Sequence, residues 1–125
     1  MTTLRADRFV FVVPTTRLEE SLRFYRDGIG LVVLEEWSEL GRGALLAASD
    51  DARVELIELD EVPEVDEPRV ALGLQITGVD AVYARLTALG ATTKAPPRAR
   101  AWGMYGFGAL DPNGVPINVY EPTAE

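Results

Sequence analysis

The chain has 125 residues, 47% of them hydrophobic and 26% charged, with twelve basic residues against twenty acidic ones for a net charge of −8. That composition fits one folded globular domain, able to remove roughly two thirds of its unfolded surface from water, and it argues against nucleic acid, whose phosphates need a basic face. Cysteine and histidine are both absent, which excludes disulfides, thiol nucleophiles, Ser-His-Asp triads and thiolate or imidazole metal sites.

Any metal would need an all-oxygen shell, which suits hard cations better than zinc or copper. No apolar run approaches the about 20 residues that span a bilayer. The start, Met1-Thr2-Thr3-Leu4-Arg5, lacks the apolar segment of a signal peptide. The expectation is a cytoplasmic protein without a membrane partner.

In chain order, residues 8–13 (Arg-Phe-Val-Phe-Val-Val) read as a strand rich in β-formers. Thr16-Arg17-Leu18-Glu19 has the spacing of a capping box. It opens a helix with Leu18, Leu22 and Tyr25 on one face, closed by Gly28 and Gly30. Three strand-like segments follow near 31–37, 42–48 and 53–59, the last two joined by Ser49-Asp50-Asp51. Residues 60–68 carry Asp60, Glu61, Glu64, Asp66 and Glu67 and read as a solvated acidic linker.

The order then recurs. Residues 69–76 alternate cleanly, with Val70, Leu72, Leu74 and Ile76 on one face and Arg69, Ala71, Gly73 and Gln75 on the other. Val79, Val82, Leu86 and Leu89 make the apolar stripe of a second helix ending at Gly90. Short strands are expected near 92–94 and 103–110, with Arg98 and Arg100 in a solvated loop between them. Asp111-Pro112-Asn113-Gly114 is a strong turn signal, and a last strand spans 115–120.

Laying Leu18-Glu19 over Val79-Asp80 is a shift of 61 positions that also brings Gly30 near Gly90. The reading is an α+β fold of two tandem β-α-β-β-β units in a single domain over residues 1–125. Unit one covers about 6–60 and unit two about 69–122. Each unit has one sheet face covered by its helix and one left open, so that the open faces form a curved sheet around a cleft.

The helix segment Leu18-Glu19-Glu20-Ser21-Leu22-Arg23-Phe24-Tyr25-Arg26-Asp27 with Gly30-Leu31 resembles the first helix of the vicinal oxygen chelate superfamily. So do Ile76-Thr77-Gly78-Val79-Asp80-Ala81, Leu89-Gly90-Ala91 and, most specifically, residues 111–122 from Asp111-Pro112-Asn113-Gly114 to Glu121-Pro122. That superfamily includes glyoxalase I, extradiol dioxygenases and bleomycin-resistance proteins. In its metal-dependent members each unit supplies one ligand from its first strand and one from its last. The resemblance carries those positions onto Val10 and Ala71, and onto Glu55 and Asn118. Two of the four have no donor atom, so the implied site holds no metal and no cofactor is expected.

Alternation puts Val10, Val12, Glu55, Ile57, Arg69, Ala71, Gly73, Gln75, Asn118 and Tyr120 on the cleft face, with Glu58 opposite. Glu55 is either a general base or ligand anchor, or a carboxylate satisfied by Arg53 or Arg69. Trp37 and Trp102 could stack on a planar ligand or pack as a lid or dimer contact. Gly106 and Gly108 inside a strand point to a bulge or to a close approach of ligand and backbone. The leading expectation is a metal-independent small-molecule-binding protein of the bleomycin-resistance type, a homodimer that sequesters an aromatic or cationic compound. The alternatives are a metal-independent isomerase, cyclase or lyase with Glu55 as base, and a divergent metal-dependent enzyme of the glyoxalase or dioxygenase kind.

Overall fold

The computed structural model describes residues 5–64 and 66–123, without the Trp102 side chain. In unit one, β1 (Phe9–Thr15) leads into helix α1, which runs α-helically over Leu18–Leu22 and continues as a wider π-helical segment over Arg23–Ile29. Strands β2 (Val32–Trp37), β3 (Gly43–Ala47) and β4 (Ala52–Glu58) complete it. Unit two repeats the plan with β5 (Leu72–Gln75), α2 (Val79–Ala88), β6 (Thr92–Thr93), β7 (Arg98–Arg100), β8 (Met104–Leu110) and β9 (Pro116–Pro122). The sheets have matching strand order, β1-β4-β3-β2 and β5-β9-β8-β6, with the first strand of each unit at the edge and parallel to the last. This is the α+β arrangement of two β-α-β-β-β units that the repeat implies.

Alternation explains the layering. Val13, Val54, Leu56 and Leu46 point to the helix side of sheet one and are almost fully buried, as are Val119, Ile117 and Phe107 in sheet two. Leu18, Leu22 and the Val79/Val82/Leu86 stripe meet them from the two helices. The helices cross at Gly28, where a β-carbon would collide with Leu86. Arg85 on α2 donates from Nε to the Gly28 carbonyl at 2.9 Å, placing a cation at the C-terminal end of α1. Gly30 closes that end in the left-handed conformation, φ 97°.

The helix starts differ from the expected capping box. Helix α1 begins at Leu18 with no side-chain cap on Arg17. The Thr15 hydroxyl, one residue upstream of Thr16, takes the Arg17 N–H at 2.8 Å, because Thr15 is also held by partners from unit two. On α2 the equivalent help comes from far away: Glu121 Oε2 accepts the Gly78 N–H at 2.9 Å. Strand β5 is four residues long, not the eight of the alternating stretch: it pairs with β9 over Leu72–Gln75, and the Ile76 N–H closes on the Tyr120 carbonyl at 2.9 Å. Arg98 and Arg100 lie not in a loop but in β7, an edge strand on β8. No described helix is long and apolar enough to cross a membrane.

The units are stapled by a buried polar network. Tyr25, fully buried on α1, donates its hydroxyl to Asp111 Oδ2 at 2.6 Å. Asn113 donates to Ser21 Oγ at 3.0 Å and accepts from Thr15 Oγ1 at 2.5 Å. Asp111 Oδ1 meanwhile takes the Asn113 and Val115 N–H groups, each at 2.8 Å, and so shapes the turn itself. Burial first, and Asp111 second, push the Tyr25 hydroxyl well above its ordinary pKa of 10.0.

A value raised on folding gives stability that is intact below about pH 10 and is lost as pH climbs toward the folded value, since the unfolded tyrosine releases its proton first. Tyr25→Phe should therefore destabilise the protein by about 1–3 kcal/mol near neutral pH. Urea unfolding followed between about pH 8 and pH 11 should show a shallower alkaline decline in the variant than in the parent.

Candidate functional site

With both helices on the inner faces, each sheet keeps one face uncovered. On unit one this face is centred on Glu55. The carboxylate stands on β4 between Val12 on β1 and Leu45 on β3, its paired neighbours to either side. Val10, Ile57 and Trp37 extend the same surface, which is apolar and half open: Val10 is 41% and Val12 47% exposed. Neither a hydrogen bond nor an ion pair joins Glu55 to another described residue. Arg53, one candidate partner, spends its guanidinium on the Ser49, Asp50 and Ala52 carbonyls at 2.8–3.0 Å. Arg69 is exposed beyond the end of β5 and pairs with no described carboxylate. Glu58 points to the helix side, where Arg42 bridges it at 3.6 Å and Glu19 at 2.7 Å.

Unit two presents the matching face with different furniture. Asn118 on β9 takes the place of Glu55, paired to Gly73 on β5 and Gly108 on β8. Tyr120 lies two residues on, its ring edge 3.8 Å from where a Gly73 β-carbon would sit. Gln75 is exposed beside it. The Arg100 guanidinium reaches across β8 to Asn118 Oδ1 at 3.5 Å. Lys94 flanks Gly108 from the far side, with Cδ 3.8 Å from that glycine's absent β-carbon.

The sequence-derived candidates thus fall on two surfaces. Val10, Val12, Trp37, Glu55 and Ile57 share the first; Gln75, Asn118 and Tyr120 share the second. No strand hydrogen bond joins the two sheets. Val12 and Arg69 also meet in a groove of about 800 Å³ between β1, the acidic linker and the Asp111–Gly114 turn, floored by Pro14, Val62, Pro63 and Pro116. Trp37 packs its ring on Gly43, which makes it a fixed part of the sheet surface; the Trp102 side chain lies outside the described residues. Lys94, Arg98 and Arg100 were missed as a group. Their common face depends on β7 pairing with β8, which the Pro96-Pro97 stretch hides.

The strand glycines separate on inspection. A β-carbon on Gly106 would run into the Val119 carbonyl and Tyr120, so this glycine permits the close approach of β8 and β9. A β-carbon on Gly108 would meet nothing closer than 3.7 Å, an ordinary contact. Gly106→Ala should lower stability by about 1–3 kcal/mol, whereas Gly108→Ala should leave it unchanged or raise it by about 0.4–1 kcal/mol. Thermal unfolding of the pair checks the contrast, and equal losses would contradict it.

Two β-α-β-β-β units with inward helices and open outer faces define a vicinal-oxygen-chelate-type protein. The family model described as Glyoxalase/Bleomycin resistance protein/Dioxygenase superfamily matches residues 6–119, and the chain belongs to that superfamily. Similar solved structures include SMU.1112c, with a TM-score of 0.75 at 20% identity over 95% of this chain and 100% of that one. TioX from Micromonospora sp. ML1 gives 0.70 at 17% identity, over 94% and 99% of the two chains. A glyoxalase/bleomycin resistance protein/dioxygenase from Nocardioides gives 0.69 at 18%, over 98% and 87%. At such identities the likeness is one of fold. No curated protein matches the chain in sequence.

Proposed function

We propose that this chain is a metal-independent binding protein of the bleomycin-resistance type, which holds an aromatic or cationic small molecule on its open sheet faces and releases it unchanged. The observation that carries the reading is Glu55: a half-buried carboxylate on an apolar surface, with no partner among the described residues. Such a group is well placed to take a charged hydrogen bond from a ligand whose flat apolar part lies on Val10, Val12 and Trp37. The net charge of −8 draws a cation in the same direction.

A metal does not fit. Val10 and Ala71 bring no donor atom to the positions the family uses, and Asn118 replaces a carboxylate. Among the described residues no three Asp or Glu side chains gather as an ion site. Superfamily membership leaves a second reading, a metal-independent isomerase, cyclase or lyase with Glu55 as base, and the unpaired carboxylate favours it too. A base also needs a fixed donor for the anion it creates. The nearest cation along β4, Arg53, is already committed to three carbonyls.

The exposed apolar side chains of sheet one, including Phe9 at 63% and Val32 at 64%, support a homodimer that would bury on the order of 1,600 Å² in total. Sedimentation at micromolar concentration should give twice the mass of one chain; a monomer there counts against it.

Ligand binding should quench or shift tryptophan emission in a screen of aromatic and basic compounds. A charged hydrogen bond is worth about 1.5–3 kcal/mol, so Glu55→Gln should weaken a cationic ligand roughly ten- to a hundredfold. Mass spectrometry after overnight incubation should return the compound intact. Turnover abolished by Glu55→Gln would instead establish the enzyme.

A further inference from the structure

The chain contains two asparagines, Asn113 and Asn118, and they have unlike neighbours. Asn118 precedes Val119 within β9, where the branched side chain crowds the backbone nitrogen that follows the amide. Asn113 precedes Gly114, which has no side chain to shield its nitrogen and is exposed in the turn. In an unconstrained chain such a pair reacts with itself. The Gly114 nitrogen loses its proton and attacks the Asn113 side-chain carbonyl carbon; a C–N bond forms and the amide nitrogen leaves as ammonia. Water then opens the cyclic imide at either carbonyl, leaving aspartate or isoaspartate at position 113. Water is the only co-reactant.

The fold engages both reacting groups. The Gly114 N–H donates to the Asp111 carbonyl at 3.0 Å. The Asn113 amide donates from Nδ2 to Ser21 Oγ at 3.0 Å and to Asp111 Oδ2 at 3.4 Å, while Oδ1 accepts from Thr15 Oγ1 at 2.5 Å. Two of these three partners, Thr15 and Ser21, belong to unit one and are fully buried. Turning the amide toward Gly114 would strip both hydroxyls of a partner at a place closed to solvent. The amide is therefore released when the hairpin of unit two lifts off the first strand and helix, a movement that also breaks the Tyr25–Asp111 bond.

Reclosure is then opposed. A neutral amide can accept from Thr15 and donate to Ser21 and Asp111 at once, whereas a carboxylate has no proton to donate. The new carboxylate would stand where Nδ2 now lies 3.4 Å from Asp111 Oδ2, and Asp111 is only 4% exposed. Two carboxylates so placed repel, and one must take up a proton or the contact stays open.

We propose that Asn113–Gly114 is a self-modification site kept silent by the contact between the units: it deamidates when that contact opens, and its product prevents the contact from reforming. The inference goes beyond the binding role and does not depend on it.

The test incubates the full chain at neutral pH and follows the single-unit mass gain of an amide turned acid, assigned to Asn113 by peptide mapping. The folded chain should convert at least about a hundredfold more slowly than the same chain in urea, because the open fraction sets the rate. Tyr25→Phe leaves every hydrogen bond of Asn113 in place but weakens the contact, and should speed conversion about tenfold. Ser21→Ala frees one end of the amide and should do the same, which keeps the comparison available if Tyr25→Phe fails to fold. Gly106→Ala weakens the sheet of unit two away from the contact and should leave the rate of the folded chain nearly unchanged. Asn113→Asp should melt at least about 4 °C below the parent.

Equal conversion of the folded and unfolded chains would overturn the proposal. So would acceleration by Gly106→Ala matching that of the contact variants at equal loss of stability, since global unfolding would then be the gate. An Asn113→Asp chain as stable as the parent would show that the product recloses, and would overturn the one-way step.

Discussion

The contact between Tyr25 and Asp111 decides how the rest of the chain can be arranged. A phenol and a carboxyl group 86 positions apart are taken out of water together, an arrangement that is tolerable only if every polar atom finds a partner. The Asp111–Gly114 turn meets that condition: Asp111 is shared between Tyr25 and two backbone N–H groups, while Asn113 reaches Thr15 and Ser21. No buried side-chain polar atom among the described residues is left without a hydrogen bond. Because the network ties the hairpin of unit two to the first strand and helix of unit one, it fixes the helices on the inside. Both sheets must then turn their other faces outward.

The rigid inner layer frees the outer faces to diverge. Positions 12, 55 and 45 on the open face of sheet one correspond to positions 73, 118 and 108 on that of sheet two, yet one row reads Val-Glu-Leu and the other Gly-Asn-Gly. Neither triplet contributes to the buried cluster. Unit one thus offers an apolar plane with a single carboxylate, and unit two a polar face of Gln75, Asn118 and Tyr120 with Lys94, Arg98 and Arg100 beside it. The pseudo-symmetry of the backbone is a scaffold on which two unlike half-surfaces are mounted.

Much of this was legible in the residues. The Asp111-Pro112-Asn113-Gly114 turn, the clean alternation of Leu72–Ile76 and the closing Gly30 and Gly90 each follow from local rules, because φ preference and the two-residue period act over a few residues. The same alternation put Glu55 and Glu58 on opposite faces. What could not be read depended on distant partners. Thr15 displaces Thr16 from the capping role because Asn113 holds it, Glu121 serves the start of α2 from β9, and Arg98 and Arg100 become a strand only where β8 offers its edge. The π-helical widening over Arg23–Ile29 belongs to this group as well. It lets Phe24 and Tyr25, adjacent in sequence, both point inward, with rings 5.0 Å apart and nearly perpendicular.

Local rules and global packing agree over most of the molecule, and that agreement makes the exceptions informative. The inner faces are filled, the buried polar atoms are paired, and the turns carry the residues their backbone demands. Departures gather on the outer faces: a carboxylate among aliphatic side chains at Glu55, two strand glycines with room to spare at Gly73 and Gly108, and three cations without counter-charges at Lys94, Arg98 and Arg100. Each is individually small, on the order of 0.5–1 kcal/mol for a strand glycine, against a total stability of only about 5–15 kcal/mol for a domain. Random surface variation would scatter such features over loops and helix exteriors. Here, by contrast, Glu55, Gly73 and Gly108 occupy corresponding rows of two sheets related by one topology, and the three cations lie beside the second row. These departures are the observations on which the proposed binding role rests.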